Sequence, residues 1–160
     1  MNDILIPRRL EGRKERYKRI IYQKIQQYIK NGSKGDLNLS GATIEYLPDN
    51  LTIVNGDLIM DHSKIVSLNN LHTVTDHLSL WCTPIQSLGN LKVVGGTISL
   101  DGSLVEHLDN LRFVGEDLWI RDTPLEKYIT KDEINEMIMV KGKIETNDFF
   151  EIYQKMLTRY

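Results

Sequence analysis

The chain has 160 residues, 41% of them apolar, and a formal net charge of −2. That is enough for one domain with a real core, and too neutral overall to mark the whole chain as a nucleic-acid or membrane binder. The lone cysteine, Cys82, excludes an internal disulfide and suits a reducing compartment. No apolar run approaches membrane-spanning length and no secretory signal is visible, so the expected location is cytoplasmic, with delivery into another host cell left open.

Residues 1–34 carry ten Lys/Arg against three Asp/Glu, a balance of +7. From about Arg8 to Lys30, Tyr17, Ile21 and Tyr28, with Ile20, Ile25 and Ile29, fall near helical spacing. Asn31-Gly32 supplies a stop, and a basic N-terminal helical cap is expected. Arg13, Lys14, Arg16 and Lys18 make its front a candidate for phosphate contacts, so nucleic-acid or ribonucleoprotein binding is the alternative function.

From residue 35 the chain repeats. Asn50, Asn70, Asn90 and Asn110 stand 20 residues apart, each followed by a leucine, and Val54, Val74, Val94 and Val114 keep the same step. A period of this size signals a solenoid, in which each coil touches only its neighbours. Each coil opens on an apolar alternation: Leu37/Leu39, Leu58/Met60, Leu78/Leu80, Ile98/Leu100 and Leu118/Ile120. Alternation of this kind is a strand with one buried face. Two further apolar columns follow, Ile44/Ile65/Ile85/Val105/Leu125 and Leu47/Leu68/Leu88/Leu108/Tyr128. Stacked at roughly 4.8 Å per coil, these side chains form one core beneath a parallel sheet. The asparagines are expected to be buried amides that bond backbone of their own turn or of the next coil. Gly95-Gly96 falls at a coil boundary and reads as a tight turn, not a phosphate loop.

The last segment, 129–160, reads as a C-terminal cap of two helices. Thr130-x-x-Glu133 is a capping-box start for a helix ending at Gly142 with Ile134, Met137 and Ile138 apolar. Asp148 to Arg159 forms the other, carrying Phe149, Ile152, Tyr153 and Met156.

The pattern of Leu47-Pro48-Asp49-Asn50-Leu51, Thr83-Pro84-Ile85 and Thr123-Pro124-Leu125 resembles leucine-rich repeats of the short, twenty-residue kind found in bacterial and bacteriophage proteins. The resemblance covers roughly residues 35–128 and implies an α/β solenoid of about five coils. One departure is visible: Ala42, Ser63, Thr83, Ser103 and Thr123 stand where that family usually has asparagine. A ladder of small, mostly hydroxylic residues is expected to take its place.

Strand residues that alternate with the buried pair face solvent. They fall in columns, Asp36/Asp57/His77/Thr97/Asp117, Asn38/Ile59/Ser79/Ser99/Trp119 and Ser40/Asp61/Trp81/Asp101/Arg121. Both tryptophans land on this face among carboxylates, as binding anchors do. The expected function is non-enzymatic protein–protein interaction. Trp81 is the anchor, surrounded by Trp119, Asp57, Asp61, His77, Asp101 and Arg121, and the partner presents a basic patch. The competing reading for Trp119 is that it folds under the cap. Cys82 beside His62 is the minimum for a thiol nucleophile or a metal site, but matches no local signature. No cofactor or metal is expected, and the chain is taken as monomer or homodimer. By resemblance to small phage and bacterial repeat proteins, the implied role is an inhibitor or adaptor of a cellular protein.

Overall fold

The structure, a computed structural model, describes residues 12–159. The expected helix start at Arg8 lies outside the described residues, as does the side chain of Phe149.

Two-residue strands recur at each coil and stack in parallel. The first sheet contains β1 (Leu37–Asn38), β3 (Leu58–Ile59), β5 (Leu78–Ser79), β7 (Ile98–Ser99), β9 (Leu118–Trp119) and β11 (Ile144–Glu145), in that order. Backbone bonds run from each coil to the next: Leu37 N–H to Asp57 O at 2.8 Å, Leu58 to His77 at 2.9 Å, Leu78 to Thr97 at 3.0 Å. A second parallel sheet was not foreseen in the period. It is built from β2 (Ile53–Val54), β4 (Thr73–Val74), β6 (Val93–Val94), β8 (Phe113–Val114) and β10 (Met139–Val140). Its valine column points inward with no exposure from Val54 to Val114, and the residue before each is a β-former such as Ile53 or Phe113. The fold is a parallel β-solenoid with, among the described residues, one helix before its first coil and the others after β9.

Register fixes the coil count. Leu37 pairs with Leu58, Leu58 with Leu78, Leu78 with Ile98 and Ile98 with Leu118, which makes four regular turns. The next partner of Leu118 is Ile144, so the last turn is longer and irregular. Both expected C-terminal helices are present, the first starting at the Thr130–Glu133 capping box, but their bounds and surroundings differ from expectation. Helix α2 (Lys131–Met137) ends well before Gly142, and the chain then adds β10 and β11 as a final rung before α3 (Phe149–Leu157). A 3-10 turn at Leu125–Lys127 shifts the register there, leaving Tyr128 79% exposed while Ile129 packs against the core.

The remaining inward columns are buried as read, and so are Ala42, Ser63, Thr83, Ser103 and Thr123. Thr83 and Thr123 hydroxyls donate to the carbonyls of Leu80 and Ile120, three residues back. The asparagine column is exposed, not buried, yet it does tie coils together. Asn70, Asn90 and Asn110 each donate an amide N–H to a carbonyl of the preceding coil, at Asp49, Asn69 and Gly89. Asn50 has no preceding coil and pairs with Gln26 of the N-terminal helix instead. Gly95 is required by close approach, not by a turn: a Cβ there would lie 1.9 Å from the carbonyl oxygen of Thr75 in the coil below.

Helix α1 (Arg13–Lys30) closes the first coil with Ile21 and Ile25, and the Asn31-Gly32 stop is present, with Gly32 at φ 82°. Its second half is pinned by Tyr22 Oη donating to Tyr46 O at 3.0 Å and Tyr28 Oη to the carbonyls of Ser33 and Gly35 at 2.8 Å. Burial pushes both phenols above their ordinary pKa.

Two outcomes test this architecture. Leu80 has no exposure, so Leu80→Ala should cost about 2–5 kcal/mol in chemical denaturation. The second concerns acid. The backbone N–H of Thr130 holds Glu133 below its usual pKa, and a bond from Lys131 does the same for Asp148. Folded-state values below the unfolded ones mean that this stabilisation is present above the unfolded pKa and disappears as pH falls through the folded value. Hydrogen-exchange protection of 129–148 should therefore drop before that of the regular turns below roughly pH 4.

Candidate protein-binding face

The outward side of the first sheet is built from residues that the stacking itself uses. Two-residue strands leave backbone donors at each rung end, and the first outward column meets them. Asp36 Oδ1 accepts from Asp57 N–H at 2.9 Å, and Asp57 Oδ1 from His77 N–H at 2.9 Å. His77 Nδ1 accepts from Thr97 N–H at 2.9 Å, and Asp117 Oδ1 from Lys143 N–H at 2.8 Å. His77 works in an aspartate column because Nδ1 stands at the same branch position as Oδ1. Its ring needs room above, and Gly96 supplies it: a Cβ at Gly96 would come 2.5 Å from Nδ1. As an acceptor, Nδ1 carries no proton, so the ring is the Nε2–H tautomer. Glu116 Oε2 lies 3.6 Å from the same nitrogen. Asp57 and His77 thus hold coils together from an outward position on the face.

The third column behaves similarly. Asp61 Oδ1 accepts from Trp81 N–H at 3.1 Å and from the Ser79 hydroxyl. Asp101 Oδ1 accepts from Arg121 N–H at 2.8 Å, and its other oxygen takes both Nε and a terminal nitrogen of that guanidinium. The hydrogen bond to Asp101, then its charge, raises the Arg121 pKa further. These two residues, expected as separate partner contacts, are already each other's partner. Arg121 also lies over the Trp119 ring, 5.4 Å from its centroid. Trp119 is half-buried there, its Nε1 shielded from solvent without a hydrogen-bond partner. It reads as a covered packing residue.

Trp81 stands apart. It is 46% exposed in a central coil, and the His62 ring meets it edge-on at 4.6 Å between centroids. His62 and Cys82 occupy the left-handed turn after the strand, with φ of 56° and 53°, in a column with Gly41, Gly102 and Asp122. Beside them lies an open depression of about 430 Å³ lined by Lys64, Cys82, Pro84 and Leu104 among others. Leu104, 48% exposed, was missed in the sequence. Its signal was present: a leucine in the column otherwise held by Thr43, Lys64, Pro84 and Pro124. Among the described residues, no three His, Cys, Asp or Glu side chains come together as a metal site would need.

At the N-terminal end, Arg13, Lys14 and Arg16 are exposed and Lys18 half-exposed, on turns of α1 that precede its first buried residue, Ile21. No helix among the described residues is long and apolar enough to cross a membrane.

Fold and site together define a capped parallel β-solenoid with one acidic, tryptophan-bearing face. No protein-family model, curated protein or solved structure matches the chain.

The His77 substitution is diagnostic. His77→Asp should preserve the Thr97 bond and keep that amide slow to exchange. His77→Leu, which has no acceptor, should open that amide to exchange and cost about 0.5–1.5 kcal/mol for the lost hydrogen bond.

Proposed function

We propose that this protein is a non-enzymatic binding module that holds one protein partner against the outward face of its first sheet, with Trp81 as the anchor. The observation that carries this is the exposure of Trp81 on a central coil, where packing does not require an indole. Large aromatics set among polar groups supply most of the energy of protein interfaces. The same face carries the carboxylates Asp57, Asp61 and Glu116, so the partner presents a basic patch and the encounter weakens with salt. The short-repeat resemblance to bacterial and bacteriophage leucine-rich-repeat proteins adds a role by analogy: a cytoplasmic inhibitor or adaptor of a cellular protein. Cys82 and His62 serve here as turn residues and rim contacts, not as a nucleophile and its base.

The second reading is nucleic-acid or ribonucleoprotein binding through Arg13, Lys14, Arg16 and Lys18. It is favoured by one observation: this front carries no buried side chain. Affinity capture with the intact protein and Trp81→Ala, read by mass spectrometry, separates the two. Loss of a specific partner on Trp81→Ala, with retention on Cys82→Ser and on charge reversal of the helix, is the expected result. The opposite pattern would pass the function to the helix.

A further inference from the structure

The two ends of this molecule's charge distribution match each other. Residues 1–34 carry +7 and residues 35–115 carry −6, and the described turns of α1 before Ile21 bury no side chain. Those turns are not purely charged. Arg13, Tyr17 and Ile20 recur at helical spacing along one side of α1, with Tyr17 43% and Ile20 46% exposed. An apolar strip edged with cations is the chemical complement of an exposed indole with Asp61 beside it and Asp57 on the same face.

The sizes agree as well. Eight helical residues, 13 to 20, span roughly 12 Å at 1.5 Å each. The run Asp61, Trp81, Asp101 crosses three coils, roughly 10 Å at about 4.8 Å per step. Arg13 or Arg16 laid over Trp81 would add a cation–π contact. The helix cannot reach its own face. Its second half is fixed to the end of the stack by Ile21, Ile25 and the tyrosine bonds, and a straight helix does not fold back.

We infer that the exposed start of α1 is a ligand for the Trp81 face of a second copy of this chain. The contact is heterologous, because the surface given differs from the surface received, and it propagates or closes into a ring. It rests on the proposed binding role of the Trp81 face, and it makes self-association a competitor of the partner. A second copy is favoured over a nucleic acid because the body behind the helix is acidic and repels a polyanion that extends beyond it.

The test is sedimentation velocity on three full-length proteins at roughly 20 mM and roughly 500 mM salt, where screening lengths differ severalfold. The wild type should sediment above one-chain mass at low salt, increasingly with concentration, and return to it at high salt. Trp81→Lys should remain single, and so should the triple variant Arg13→Glu, Lys14→Glu, Arg16→Glu. An equimolar mixture of the two variants should recover a species of two chains, because each supplies the surface the other lacks. A wild type that stays single at low salt, a variant that still associates alone, or a mixture without complementation overturns the inference. If the wild type stays single while Trp81→Ala still loses its captured partner, the binding role stands and only self-association fails. If it stays single and the helix variant loses affinity for a duplex of about 20 base pairs, the occupant is a polyanion and the inference is likewise overturned.

Discussion

Every coil must hydrogen-bond the coil above it along its whole perimeter, because neither neighbour offers more than two strand residues at a time. A strand of two residues satisfies little by itself, so the corners have to be closed by side chains. This requirement explains residue types that surface exposure alone would leave arbitrary. Asp36, Asp57, His77 and Asp117 each present an acceptor at the same branch point to an amide one coil up. The asparagines reach the other way, donating to carbonyls one coil down. Between these two ladders the aliphatic columns fill a core in which the valines and most of the leucines have no exposure at all. Dispersion and burial supply the driving force, and the polar ladders fix which rung sits on which.

The same requirement shapes the outward face proposed for binding. Its carboxylates are held from behind by backbone donors or, at Asp101, by Arg121, so their positions are set before any partner arrives. Preorganised charge loses little entropy on contact. Trp81 gains from the same arrangement, since its own amide is gripped by Asp61 and its ring is steadied by His62. A rigid array with one aromatic left uncovered is a different surface from a flexible patch of equal composition.

The period made the first sheet, the core columns and the outward columns legible, because stacking repeats every apolar position at a constant step. Four features escaped it for identifiable reasons. The second sheet draws its outward positions from Ile53, Thr73, Val93 and Phe113, which share β preference but no common residue. The final rung breaks the step altogether: its strands follow α2, and Ile144 finds Leu118 across an interval no repeat predicts. The structural use of Asp57, His77, Asp101 and Arg121 is visible only when coils are superposed, since each bond joins residues 20 apart. Trp119 looked like its fellow tryptophan in one dimension and differs because Arg121 lies across it.

The pairing of Asn50 with Gln26 has a consequence for how such an array changes in length. The helix answers the amide that a preceding coil's carbonyl would otherwise have answered, so the first coil meets its terminator through the same group that joins any two interior units. A unit could therefore be gained or lost from the middle by duplication or deletion of twenty codons without redesign at either terminus. The breadth of the outward face becomes a quantity that evolution can adjust in whole steps.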